Sequence, residues 1–111
     1  MLYAADTAAL AVLEVRVHLD LGFDLLPADY VLLTLDLGAA DIETMLRLPA
    51  GTVAFGDVWL AERRTAILRV PSVTVPESTN VLVNPRHPEA AQVKIVGKRP
   101  FAFDERLWSG T

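Results

Sequence analysis

The sequence predicts an α+β domain, with a helix packed on one face of a mixed or antiparallel sheet. Three observations carry this. An apolar stretch of helical length lies near the start, a continuous β-prone run follows it, and the second half holds short β-prone segments separated by Pro71, Pro76, Pro85 and Pro88. At 111 residues the chain is one domain spanning 1–111, of a size that removes roughly two thirds of its unfolded surface from water.

Asp6 and Thr7 are N-cap residue types ahead of Thr7–Asp20, where Ala, Leu and Val fill nearly every position except Glu14, Arg16 and His18. A helix so apolar is expected to be buried on almost all sides. Gly22 and Pro27 end it. Tyr30–Leu37 then reads as a central strand, because a continuous apolar run of that length fits a strand covered on both faces. Asp41–Leu48 reads as a short helix capped by Asp41. Pro49, Gly51 and Gly56 mark the loop before order resumes around Trp59. Thr65–Val70, Val73–Val75, Asn80–Asn84 and Gln92–Gly97 read as strands. The chain has no internal repeat and no low-complexity segment.

Composition excludes several functions. Ten Lys and Arg against fourteen Asp and Glu leave a net charge of −4, a field that repels phosphate backbones, so nucleic acid is not an expected partner. Without cysteine there is no disulfide and no thiolate chemistry, and two distant histidines do not make a metal site. The apolar stretches Ala8–Leu13 and Tyr30–Leu35 fall short of the ~20 residues of a membrane span, and the first basic residue is Arg16, which does not fit a signal peptide. A cytoplasmic protein is expected. Apolar residues make up 52% of the chain, above the usual share, so association with itself or a partner is expected.

Glu14 stands out as a candidate site residue. A carboxylate between Ala-Val-Leu and Val-Arg-Val costs desolvation energy unless a partner or a substrate uses it. His18 follows one turn later on the same face, and a plain ion pair with His18 or Arg16 accounts for Glu14 equally well. Ser72, in Val-Pro-Ser-Val-Thr-Val-Pro, is a turn or strand-start hydroxyl, and no Gly-x-Ser-x-Gly elbow makes it a hydrolase nucleophile. Asn80 and Asn84 flank Val-Leu-Val as ordinary strand-end residues, with Asn84-Pro85 a turn. Tyr3, Trp59 and Trp108 fit core or rim packing, and Glu62-Arg63-Arg64 a solvated cluster. Phosphate-loop and zinc-hydrolase motifs are absent.

Read together, residues 2–19 (Leu-Tyr-Ala-Ala-Asp-Thr-Ala-Ala-Leu-Ala-Val-Leu-Glu-Val-Arg-Val-His-Leu), 70–76 (Val-Pro-Ser-Val-Thr-Val-Pro), 80–88 (Asn-Val-Leu-Val-Asn-Pro-Arg-His-Pro) and 101–107 (Phe-Ala-Phe-Asp-Glu-Arg-Leu) resemble the RES family in order and spacing, over essentially the whole chain. The family is named for an Arg, a Glu and a Ser. By motif the Glu falls on Glu14 and the Ser on Ser72, while Tyr3 matches a tyrosine that shapes the pocket.

The resemblance implies a fold similar to ADP-ribosyltransferase toxins and an NAD-consuming toxin of a toxin–antitoxin pair. Such a protein cleaves the nicotinamide–ribose bond by phosphorolysis, hydrolysis or protein ADP-ribosylation, with NAD as substrate and no metal. Glu14 would be catalytic, with Tyr3 and Ser72 binding NAD. The implied partners are a cognate antitoxin, a protein target and further copies of the chain. Family members also carry an arginine-bearing strand and an Arg-Trp-Asn segment upstream of the tyrosine, and no arginine here stands at a matching position. Residues 1–111 are therefore expected to be an N-terminally incomplete RES domain of weak activity. The alternative is a catalytically inactive interaction or oligomerisation module.

Overall fold

The computed structural model describes residues 2–47, 52–62 and 64–108. In chain order it runs β1 (Leu2–Ala5), α1 (Ala8–His18), β2 (Val31–Asp36), β3 (Ile42–Thr44), α2 (Thr52–Glu62), β4 (Ile67–Pro71), β5 (Thr79–Val83) and β6 (Lys94–Pro100). Short 3-10 turns lie at Phe23–Leu25, Pro88–Gln92 and Glu105–Leu107. The fold is α+β, with a four-stranded mixed sheet in the order β1-β5-β4-β3 and a separate two-stranded sheet of β2 and β6.

In the larger sheet β5 is antiparallel to both neighbours, and β3 runs parallel to β4. The register pairs Tyr3 with Leu82 and Ala5 with Asn80 on one side of β5, and Leu68 with Leu82 and Val70 with Asn80 on the other. Because side chains alternate along a strand, Tyr3, Ala5, Leu68, Val70, Asn80 and Leu82 share one face. Trp59 of α2 packs there with Leu68 and Val70, against Met45, Phe55, Leu60 and Leu82. The opposite face carries Ile67, Val81 and Val83, closed by Ala40 and Ala66 with Leu37, Ala90 and Val93.

Helix α1 begins where expected: the Thr7 hydroxyl accepts from the Leu10 N–H at 3.1 Å, a cap worth about 1 kcal/mol. It is not buried all round. Only Leu10 is buried, whereas Leu13, Val15 and Val17 are 39%, 42% and 57% exposed. The helix rests on the sheet along one side, and its other sides stay partly exposed. Its C-terminal end is fastened by Trp108, whose indole N–H donates to the Leu21 carbonyl at 2.8 Å while the Arg16 guanidinium lies over its ring.

Four other expectations need correction. Tyr30–Leu37 is not a central strand, because among the described residues β2 pairs only with β6 and leaves Val31 and Leu33 about half exposed; a continuous apolar run has no period that tells a ribbon from a buried strand. Asp41–Leu48 is not a helix. Ile42–Thr44 joins β4 instead, and the Met45 N–H donates to the Arg69 carbonyl at 2.8 Å, so tertiary pairing overrides the capping signal; Leu48 lies outside the described residues.

Gly56 is not in a loop but inside α2, where a Cβ would meet nothing. Pro49 and Gly51 lie outside the described residues. Val73–Val75 is not a strand. Pro71 still belongs to β4 opposite Thr79, and beyond it the Ser72 hydroxyl gathers the Thr74 and Val75 N–H groups, both at 3.1 Å, into a turn. Arg64 of the expected solvated cluster reaches Glu43 at 2.7 Å and Glu62 at 3.4 Å, exposed pairs of little energetic weight; Arg63 lies outside the described residues.

Candidate active site

Sheet parity brings the site together. Ser72 follows Val70 by two residues, so it continues the face that carries Asn80 and Tyr3, and α1 crosses that face at Glu14. Both carboxylate oxygens of Glu14 are held. The Asn80 amide donates to Oε1 at 2.6 Å and the Ser72 hydroxyl donates to Oε2 at 3.1 Å. Hydrogen bonds to a charged group contribute about 1.5–3 kcal/mol each. Together they fix the carboxylate in direction as well as place.

Each holding group is itself fully engaged. Asn80 is 0% exposed. Its amide nitrogen also donates to the Ala4 carbonyl at 3.4 Å, and its Oδ1 accepts from the Tyr3 hydroxyl at 2.8 Å. Ser72 is 1% exposed. Its oxygen accepts from two backbone N–H groups, which leaves its one proton for Glu14. That geometry makes Ser72 a support for the carboxylate and leaves it no free lone pair for nucleophilic attack.

An open groove of about 430 Å³ runs beside the carboxylate between α1 and β1, lined by Tyr3, Ala4, Ala5, Ala11, Glu14, Val15, His18 and Leu19. Its size suits a small-molecule ligand. Ser72 does not line it and stands behind Glu14. Tyr3 lines the groove and is over half exposed. The covering of its hydroxyl, and then the Glu14 carboxylate, push its phenol above the usual pKa of 10.0. A second hollow of about 350 Å³, lined by Asp57, Leu60, Ala61, Asn84, Pro85 and Arg86, contains none of these groups.

The structure thus joins all three sequence candidates, Tyr3, Glu14 and Ser72, in one hydrogen-bonded unit. Among the described residues Glu14 forms no ion pair with His18 or Arg16; Arg16 turns away to donate to the Leu107 carbonyl at 3.0 Å. Asn80 is the member that sequence reasoning missed. The available signal was its parity: residues 80 and 82 of one strand share a face, so an asparagine there is buried beside Leu82. Among the described residues no three His, Cys, Asp or Glu side chains come together as a metal set, and no helix is long and apolar enough to cross a membrane.

The fold and site define an α+β domain that presents one rigidly held carboxylate and a phenol to an open groove. Comparison with known proteins gives the family. The chain matches the RES domain over residues 1–104, and it belongs to the RES family. It is similar to the Prs ADP-ribosylating toxin of Sphingobium sp. (strain YBL2), at 39% identity over 96% of this chain and 74% of that protein. It is also similar to Toxin Res of Pseudomonas putida, at 35% identity over 97% and 79% of the two chains, and to Toxin Res of Yersinia enterocolitica, at 33% over 96% and 76%.

Proposed function

We propose that this chain is the NAD-consuming toxin of a toxin–antitoxin pair, acting in the cytoplasm, and that it breaks the bond between nicotinamide and ribose in the groove beside Glu14. The observation that carries the reading is the Glu14 carboxylate, clasped by Asn80 and Ser72 and facing an open groove. The names of the similar proteins support it.

When the C1′–N bond breaks, its electron pair leaves with the nicotinamide nitrogen and neutralises the pyridinium, while C1′ of the ribose gains positive charge. A carboxylate already aimed at that carbon stabilises the developing charge without reorganising. An acceptor oxygen, from water, phosphate or a protein side chain, then forms the new bond to C1′ and gives up its proton. Glu14 can take that proton or orient the acceptor. Tyr3, with its ring in the groove and its hydroxyl on Asn80, stacks against the nicotinamide–ribose end. Ser72 acts through Glu14.

The reading includes NAD, a cognate antitoxin and, for the transfer reaction, a protein target as partners. It also includes an arginine from outside residues 1–111, since among the described residues no Lys or Arg lines the groove where the pyrophosphate must lie. The test is nicotinamide release from NAD by residues 1–111 and by a longer form bearing that arginine, with the ribose product identified in buffers with and without phosphate and a candidate protein acceptor. Release at least tenfold faster from the longer form is expected.

Exposed Leu13 and Val17, one turn apart on α1, favour a second reading, a non-catalytic module whose α1 face binds another protein or a further copy. Its mark is stable association in solution with no nicotinamide release by either form.

A further inference from the structure

His18 lines the groove one helical turn beyond Glu14, and none of the described residues forms a hydrogen bond or an ion pair with its imidazole. Its natural partner is already taken. Both Glu14 oxygens are occupied by Asn80 and Ser72, and Arg16, which stands between the two in sequence, is committed to Leu107 and Trp108. The other lining residues beyond Glu14, Val15 and Leu19, are apolar. His18 is therefore the one groove-lining side chain among the described residues that can carry positive charge, and its imidazole donates an N–H in either protonation state.

Resting on the reading of the groove as the NAD site, we infer that His18 binds the phosphate attached to the nicotinamide ribose, and so selects a phosphorylated substrate over a bare nucleoside. Four residues of helix advance about 6 Å along the axis, a distance comparable to the reach of a ribose from C1′ to its 5′-phosphate. With C1′ at Glu14, the first phosphate falls beside the imidazole. The small side chains of Ala4, Ala5 and Ala11 leave room for the sugar along the groove. A donor at this point also counters the repulsion that a chain of net charge −4 exerts on an anionic ligand.

The experiment uses the form of the protein that releases nicotinamide, with His18→Ala and His18→Gln variants. Steady-state release from NAD is measured together with inhibition by nicotinamide mononucleotide, which carries the phosphate, and by nicotinamide riboside, which lacks it. His18→Ala is expected to raise KM for NAD and weaken the mononucleotide about tenfold, with kcat within about threefold and riboside inhibition unchanged. His18→Gln, whose amide still donates, recovers part of the loss. Equal weakening of mononucleotide and riboside, or an unchanged KM, overturns the assignment while leaving the NAD reading intact. Absence of nicotinamide release from every form overturns both.

Discussion

Asn80, within β5, and Asn84, one residue past its end, flank the same run, Val-Leu-Val, and both are 0% exposed with every side-chain polar atom paired. They do different things. Asn84 spends its groups on backbone, donating to the Leu60 carbonyl of α2 at 3.2 Å and accepting from the Arg86 N–H at 3.0 Å. Asn80 gives one long bond to the Ala4 carbonyl and its two short ones to side chains, a carboxylate and a phenol that both reach an open groove. Burial of a polar residue therefore does not mark a site. What separates the two ends is whether the buried amide satisfies the chain itself or holds a group that still has a free side.

The α2 end carries the larger stability effects. Trp59 is 0% exposed and its indole N–H donates to the Thr65 hydroxyl at 3.2 Å. Trp59→Ala should cost about 3–5 kcal/mol and unfold the domain at ordinary temperature, read by circular dichroism. Asn84→Ala strands the Leu60 carbonyl and the Arg86 N–H, and should cost about 1–3 kcal/mol in denaturant melts, with activity lost only as far as folding is lost.

Asn80→Ala sharpens the contrast. Water from the groove can replace its bonds to Glu14 and Tyr3, so the stability cost should be smaller than for Asn84→Ala. Nicotinamide release should nonetheless fall about tenfold or more, because the carboxylate loses its aim. If the two alanine variants lose activity in proportion to stability, the distinction between the two ends is broken.

Tyr3→Phe tests the smallest effect, a change in pH dependence. The folded Tyr3 phenol titrates above its usual value, so its contribution to stability is complete below about pH 10 and is lost as the pH rises through the folded value. The wild type should lose stability more steeply than Tyr3→Phe above about pH 10. Parallel melting curves across that range would contradict the Tyr3–Asn80–Glu14 contact.

The sequence showed the site better than the path of the chain. Glu14 was legible because a carboxylate in an apolar helix needs a reason, and Tyr3 and Ser72 followed from the family motif. Asn80 was not, since an asparagine before Val-Leu-Val reads as a strand end until the register places it beside Glu14. Helix α1 and strands β4 and β5 were visible from capping and β-prone runs. So were β2 and β6 as strands, but their pairing with each other, β3 and α2 were not. Local pattern cannot say that Tyr30–Leu37 pairs on one edge only, nor that Ile42–Thr44 joins β4 across more than twenty residues of chain.

In the proposed reaction the clasped Glu14 carboxylate performs the chemistry. Glu14→Gln keeps the size and shape of the side chain and removes the charge. Nicotinamide release from saturating NAD, by wild type and by Glu14→Gln with matched melting temperatures, tests it most directly. A fall of at least about a hundredfold in kcat is expected, with NAD binding changed far less. A Glu14→Gln protein that releases nicotinamide within about threefold of wild type would contradict it.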